Sequence, residues 1–282
     1  MTTRTNPLCI YHADCADGFS AAWVVRKYFN GEVDFHRGVY QETPPDVTGR
    51  PLVYLVDFSY KRDAMLKMMD QSPLITVLDH HKSAMEDLEG LGSLGLRMKF
   101  DMDHCGAMVT WKHFFDDAPP PELLYHVEDR DLWRFKLKGT REIQANVFSY
   151  PYEFEVWDEL MATDVNVLRK DGEAIERKHF KDINELLPKV TRRMNIGGYN
   201  VPVANLPYIY SSDAGNYLSF GEPFAACYWD TPSGRQFSLR SDAKAGVDVS
   251  QIAVKYGGGG HRNASGFKVS YAMALTFEED YQ

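Results

Sequence analysis

Residues 74–81, with the sequence LITVLDHH, constrain the fold more than any other stretch of the chain. The first five are apolar or β-branched, with Thr76 as the one polar member, which is typical of a parallel-sheet strand buried on both faces. Asp79, His80 and His81 follow without a spacer. Because ligands bind at the carboxyl ends of the strands in open parallel sheets, the stretch predicts a polar site at that edge.

Two other apolar segments, residues 8–11 (LCIY) and 51–56 (PLVYLV), also lead into acidic or imidazole side chains. A simple turn or a helix cap would explain any one of these motifs alone. Three strand ends with the same chemistry favour a shared site instead. The residues that follow the two segments are His12, Asp14, Asp17 and Asp57.

Strands and helices alternate along the first two thirds of the chain. A helical pattern follows each of the three predicted strands, and this spacing indicates βαβ units and a parallel sheet. After Pro188 the pattern changes to short β segments. We therefore predict an α/β fold with a parallel-sheet domain and flanking helices at 1–190, a smaller α/β domain at 191–282, and the active site in the cleft between them.

Composition limits the class of partner. The chain has 40 acidic and 31 basic residues, a net charge of −9, which argues against a protein that coats long duplex nucleic acid. No apolar run approaches the roughly 20 residues that span a bilayer, and the first residues lack a signal-peptide core. The 4 cysteines include no CxxC pair, so neither a disulfide framework nor a thiolate zinc site is indicated. We expect a cytoplasmic protein with no membrane partner.

Several carboxylates at one sheet edge would repel each other unless a cation neutralised them. A pair of divalent ions is the economical explanation, and carboxylate and imidazole ligands fit Mn²⁺, with Mg²⁺, Fe²⁺ or Co²⁺ as alternatives. Another acidic cluster, EDRD at 128–131, lies at the end of a predicted helix. Such clusters are often solvated. Beside the other aspartates we favour Asp129 as one more ligand, with Asp131 as its alternative.

Near the carboxyl terminus, residues 257–262 read GGGGHR. Four successive glycines cost conformational entropy and would also suit a plain linker. A linker seldom places a histidine and an arginine directly after its glycines. Bare backbone amides beside such side chains are suited to binding a phosphate. The candidate phosphate-binding residues are Gly258, Gly259, Gly260, His261 and Arg262.

In this order, the motifs resemble those of the DHH phosphoesterases, which include RecJ-type exonucleases, nano-RNases, family II pyrophosphatases and cyclic-dinucleotide phosphodiesterases. LDHH at 78–81 resembles the signature motif, HADCADG at 12–18 the first motif, Asp57 the second and EDRD at 128–131 the fourth. The stretch GGGGHRNASGF at 257–267 resembles the glycine-rich motif of the DHH-associated carboxy-terminal domain. The five motifs span nearly the whole chain.

The resemblance implies that Asp57 bridges two metal ions and that Asp79 orients an imidazole. It also implies that His81 faces the substrate phosphate and that residues 258–262 hold it. The first motif departs from many members, because two residues, rather than one, separate its two aspartates. The candidate metal ligands are His12, Asp14, Asp17, Asp57, His80 and Asp129.

The predicted activity is Mn²⁺-dependent hydrolysis of phosphodiester bonds in nucleotides or short oligonucleotides, by a metal-activated water. Long single strands are disfavoured, because the sequence shows no ladder of aromatic residues for stacking. A pyrophosphatase or phosphomonoesterase acting on small phosphates is an alternative. A non-catalytic module that binds a nucleotide is another.

Overall fold

The structure, a computed structural model, describes residues 6–277 and comprises two compact units, Met1–Arg177 and Lys178–Gln282. The division falls inside one long helix, Val165–Val190, whose last residue is the predicted domain boundary. Within residues 6–277, no helix is long and apolar enough to cross a membrane.

The first unit contains a sheet of five parallel strands and the helices that surround it. In chain order its elements are β1 (Leu8–His12), α1 (Ala16–Tyr28), β2 (Asp34–Gly38), β3 (Val53–Val56), α2 (Arg62–Gln71), β4 (Ile75–Asp79), α3 (Lys82–Asp87), β5 (Arg97–Phe100), α4 (Gly106–Phe114), α5 (Glu122–Asp131), α6 (Thr140–Val147), α7 (Phe154–Ala162) and α8 (Val165–Val190). The strands lie side by side in the order β2-β1-β3-β4-β5, and every neighbouring pair is parallel.

Alternate residues of the central strands enter two separate cores, because side chains alternate across a strand. Val77 of β4 packs with Ile10 and Leu55 in one core, whereas Leu78 packs with Val56 in the other. All five side chains are fully buried. The parallel sheet buried on both faces that the apolar run predicted is therefore confirmed.

The register of this sheet brings the polar strand ends together. Tyr11 of β1 pairs with Val56 of β3, and Val56 pairs with Leu78 of β4. The residues that come next along the three strands therefore leave the sheet at one edge. They are His12, Asp57 and Asp79.

The second unit contains a mixed sheet of six strands. Its elements after α8 are β6 (Thr191–Ile196), β7 (Tyr199–Asn205), α9 (Ser211–Leu218), β8 (Ala225–Thr231), β9 (Gly234–Arg240), α10 (Val249–Lys255), β10 (Gly259–His261), β11 (Ala264–Val269) and α11 (Tyr271–Thr276). The strand order is β10-β11-β9-β8-β7-β6, with β7 and β8 parallel and the other neighbours antiparallel. One core of this unit includes Phe237, Phe267 and Ile252. A parallel-sheet unit followed by a smaller α/β unit agrees with the predicted fold class.

Candidate metal centre

Ligand-type side chains from five segments of the first unit meet at the carboxyl edge of the parallel sheet. His12 ends β1, Asp57 follows β3, and His80 follows β4. Asp17 lies in the first turn of α1, and Asp131 is the last residue of α5. Asp17, Asp57 and His80 are each at most 2% exposed. We call this group the metal centre.

The imidazole of His80 lies among three carboxylates. Its Nε2 atom is 3.1 Å from Asp57 Oδ1, 3.5 Å from Asp17 Oδ2 and 3.5 Å from Asp131 Oδ2. The other oxygen of Asp57, Oδ2, lies 3.4 Å from His12 Nδ1. Asp57 is thus placed between two imidazoles, one facing each oxygen. Two groups drawn wholly from the first unit have ligand atoms within 4.8 Å of one another. They are Asp17, His80 and Asp131, and His12, Asp57 and His81.

The pKa values of these side chains reflect crowded negative charge. Burial and the charges of Asp57 and Asp131 raise the pKa of Asp17 well above its usual range. Burial would also raise the pKa of Asp57, but the imidazoles of His12 and His80 hold it well below that range. Burial lowers the pKa of His80. The bond to Asp57 and the charges of the neighbouring carboxylates outweigh burial and raise this pKa to about 10. A bound cation would relieve this repulsion.

Buried atoms without hydrogen bonds supply an independent test of whether a metal fits. Among the described residues, His12 Nδ1, Asp57 Oδ2 and Asp131 Oδ2 are buried and make no hydrogen bond. Buried polar atoms without partners are costly, so native proteins rarely contain them. Carboxylate oxygens and imidazole nitrogens without thiolates suit Mn²⁺ or a similar divalent ion. The residues present therefore fit a divalent metal.

The first turn of α4 fixes the orientation of Asp17. The backbone N–H groups of Gly106 and Ala107 donate to its two carboxylate oxygens, at 2.6 Å and 2.9 Å. A helix amino terminus favours such a negative charge. Gly106 also lies against Asp57, because a Cβ atom at this position would come within 2.4 Å of Asp57 Cβ. The sequence alone assigns no role to Gly106. Its one distinguishing feature there is its position directly before a helical pattern.

The backbone of the metal centre has two further unusual positions, a left-handed residue and a glycine in close contact. Asp57 has φ of 54°, in the left-handed region that few residues other than glycine adopt and that aspartate tolerates better than most. Gly18 lies against the end of β1, where an added Cβ would come within 2.3 Å of the His12 carbonyl oxygen. These two features restrict the backbone positions of the candidate ligands Asp57 and His12.

Asp79 lies behind His81. Its Oδ1 atom is 2.7 Å from His81 Nδ1 and accepts a bond of 2.7 Å from the backbone N–H of His80. Asp79 is fully buried and His81 is 7% exposed. This arrangement restrains the ring of His81. The role that the family resemblance implies for Asp79 stays a prediction.

Asp129, the ligand favoured on sequence, lies outside the metal centre. Its carboxylate accepts bonds from the backbone N–H groups of Lys136 at 2.8 Å and Leu137 at 3.0 Å and from the Thr140 hydroxyl at 2.6 Å. Burial raises the pKa of Asp129, but these three bonds lower it below its usual value. Asp131, its alternative, takes the position beside the histidine. The structure therefore places Asp131, and not Asp129, beside the other candidate ligands.

Asp14 is also absent from the metal centre. It has φ of 53°, and its side chain is 60% exposed and paired with Arg37. The turn after β1 thus directs this carboxylate toward β2. The structure therefore separates Asp14 from the other predicted ligands.

The glycine-rich segment of the second unit forms a β-hairpin. Residues 259–261 are the edge strand β10, which pairs with β11. The Arg262 side chain lies in the connecting turn and is 59% exposed, with its Nη1 atom 3.8 Å from Asp248 Oδ2. The predicted candidates Gly258, Gly259, Gly260 and His261 therefore belong to regular secondary structure or directly precede it.

No family model matches the chain. An uncharacterized protein of Acanthamoeba polyphaga mimivirus is 30% identical over an alignment of 289 residues, which covers 93% of this chain and 67% of that protein. Among solved structures, the pGpG-specific phosphodiesterase PggH of Vibrio cholerae is similar, with a TM-score of 0.51 and 14% identity. That match covers 98% of this chain and 97% of the Vibrio chain, and at this identity it shows a shared fold.

Proposed function

The chain belongs to the same family as the mimivirus protein, and from its metal centre we propose that it is a metal-dependent phosphoesterase acting on nucleotides or short oligonucleotides. The convergence of three carboxylates on His80 carries the proposal. Its motifs, which resemble those of the DHH phosphoesterases, support hydrolysis of a phosphodiester bond. A pGpG-specific phosphodiesterase with the same fold favours a dinucleotide among the candidate substrates.

We propose that the metal centre holds two Mn²⁺ ions, with Mg²⁺ as an alternative. Asp17, His80 and Asp131 would bind one ion, His12 would bind the other, and Asp57 would contact both. When bound, such ions activate a water as nucleophile and neutralise charge on the phosphate oxygens. One set of ligand atoms contains Asp57 and the other contains His80, which lies 3.1 Å from Asp57 Oδ1, and this arrangement supports the assignment.

The protein's own residues would position the phosphate. Because Asp79 fixes His81 through Nδ1, the Nε2 atom of His81 is the one that can contact a phosphate oxygen. In the second unit, the exposed guanidinium of Arg262 is suited to bind a phosphate oxygen by a charge-assisted hydrogen bond. We propose that residues 258–262 bind substrate through this side chain and His261.

The test is the variant Asp57→Asn, which keeps the shape of the side chain and removes its charge. We expect Mn²⁺-dependent hydrolysis of a dinucleotide to fall by about 1,000-fold or more, since bound metals supply several kcal/mol of transition-state stabilisation. Metal content, measured by mass spectrometry, should fall with it. The thermal unfolding temperature of the metal-free protein should fall, because the substitution removes a charge that the His12 and His80 imidazoles stabilise in the folded state. Circular dichroism at the assay temperature checks that the variant is folded.

Asp14→Asn is the matched control, since that aspartate lies outside the metal centre and should keep at least half of the wild-type rate. Well-folded Asp57→Asn protein that still cleaves at the wild-type rate would refute the proposal. Pyrophosphate and p-nitrophenyl phosphate in the same screen distinguish a phosphodiesterase from a pyrophosphatase and from a phosphomonoesterase. Nucleotide binding without hydrolysis of any substrate would indicate a binding module.

A further inference from the structure

A second cluster, of aromatic and arginine side chains, lies beside the metal centre in the first unit. The guanidinium carbon of Arg130 is 4.2 Å from the ring centroid of Trp133, and that of Arg141 is 3.7 Å from the ring centroid of Phe135. The rings of Trp133 and Phe135 meet edge to face at 5.1 Å. Arg130 also lies 5.8 Å from the ring of Phe148, which is 49% exposed. We call these five residues the aromatic platform.

The aromatic platform is joined to the metal centre by the backbone. Arg130 directly precedes Asp131, and Trp133 follows it by two residues. Consecutive Cα atoms are about 3.8 Å apart, so the Cα atom of Trp133 lies within about 8 Å of that of Asp131. A group bound at the metal centre would therefore have the platform within its reach.

The turn that carries the two rings has an unusual backbone. Trp133 and Phe135 have φ of 55° and 47°, in the left-handed region that bulky aromatic residues rarely adopt. The Asp129 carbonyl oxygen accepts bonds from the N–H groups of Arg134 at 2.8 Å and Phe135 at 3.3 Å. With the carboxylate bonds of Asp129 described above, these bonds hold the turn. Hydrogen bonds to the carbonyl and carboxylate oxygens of Asp129, rather than bonds made by the rings, thus fix the turn that carries Trp133 and Phe135.

We infer that the aromatic platform stacks a nucleobase adjacent to the phosphate bound at the metal centre, an inference that rests on the proposed function. Aromatic rings and guanidinium planes are the groups on which proteins stack unpaired bases. Two guanidiniums beside an acidic cluster also attract an anionic ligand, in a chain whose net charge is −9. The substrate class is therefore a nucleotide with a base next to the cleaved bond, rather than pyrophosphate or another small phosphate.

The experiment compares a dinucleotide with an analogue that lacks the base of the nucleotide next to the cleaved bond. Both are assayed with the full-length protein and Mn²⁺. For Trp133→Ala, we expect the kcat/KM ratio of the dinucleotide to the abasic analogue to fall by roughly 5- to 150-fold, the range for loss of base stacking. The change should appear in KM, since stacking stabilises the bound substrate and the transition state alike. Trp133→Phe, which keeps an aromatic face, should restore most of the ratio.

Tyr28→Ala is the matched control, because Tyr28 is also aromatic and 47% exposed. It ends α1, about 17 Å along the helix axis from Asp17, and should leave the ratio unchanged. Should Trp133→Ala fail to fold, Trp133→Leu keeps apolar volume without the aromatic face and should give the same loss. An equal fall for both substrates, or no fall, would overturn the inference and assign the platform a structural role.

The inference and the proposed function fail in different ways. If wild-type protein cleaves neither substrate, the proposed function is wrong, and calorimetric titration with the dinucleotide still tests the platform. Binding that weakens by the same factor in Trp133→Ala would then support stacking without catalysis. Unchanged binding would reject it.

Discussion

The metal centre and the glycine-rich hairpin of the second unit were both marked by sequence motifs, but they differ in what the marked residues contact. At the metal centre, residues distant in sequence bring their polar atoms within 4.8 Å of one another. In the hairpin, the marked glycines contact the neighbouring strand. A Cβ atom at Gly258 would come within 2.0 Å of the Gly266 carbonyl oxygen, and Gly260 has φ of 137°.

This difference shows which motifs are informative by themselves. A polar residue at the end of a buried parallel strand has its position set by the sheet, so its function can be inferred from sequence. A glycine run can meet either of two needs, close packing of backbones or binding of a ligand. In the hairpin the first need already explains Gly258 and Gly260, and ligand binding there depends on the side chains of His261 and Arg262.

The sharpest test within the metal centre compares Asp131→Asn with Asp129→Asn. We expect Asp131→Asn to weaken Mn²⁺ binding and lower hydrolysis by more than about 100-fold, because supporting residues of metal sites alone are worth 10- to 100-fold. Asp129→Asn should keep the metal but lower the free energy of unfolding by about 1–3 kcal/mol, since its carboxylate accepts three bonds.

The two measurements are calorimetric metal titration and chemical denaturation of the metal-free protein. If Asp129→Asn lost the metal while Asp131→Asn retained it, the proposal that Asp131 binds the metal would be overturned.

The same pair of aspartates shows where sequence reasoning stops. His12, Asp57 and His80 follow from the strand pattern, because the end of a buried strand is visible as a change from apolar to polar residues. Asp129 and Asp131 both lie in the last turn of α5. Residues two apart on a helix differ by about 200° in direction, so one faces the centre and the other does not. The phase of α5 depends on its packing, which the local sequence does not determine.

Long-range backbone contacts were equally hidden. Gly106 lies next to Asp57 in space, although 48 intervening positions separate them in the chain. Residues 191–196, with the sequence TRRMNI, form strand β6, although their local sequence does not show the pattern of a half-buried strand. Met194 and Ile196 are its buried side chains, and two apolar residues are too few to reveal alternation.

Gly106→Ala tests whether close backbone contact supports the metal centre. The added Cβ would lie 2.4 Å from Asp57 Cβ, so the first turn of α4 must shift away from Asp57 and Asp17. We expect hydrolysis to fall by roughly 10- to 100-fold, as for loss of other groups that orient metal ligands. The control is Gly92→Ala, whose nearest atom would be Met98 Cε at 3.6 Å. Wild-type activity in Gly106→Ala would show that this contact is dispensable.

The smallest expected effects separate packing from ligand binding in the hairpin. Gly258→Ala places a Cβ against the backbone of β11, so we expect the free energy of unfolding to fall by about 1–3 kcal/mol, as in other overpacked sites.

Arg262→Ala removes an exposed side chain and should change the free energy of unfolding by less than about 0.5 kcal/mol. Its KM for a dinucleotide should rise by about tenfold, since a hydrogen bond to a charged group contributes roughly 1.5–3 kcal/mol. Unfolding curves and steady-state kinetics on both variants supply the comparison. If Arg262→Ala left KM unchanged, the proposal that this side chain binds the substrate phosphate would fail, while the metal centre would be unaffected.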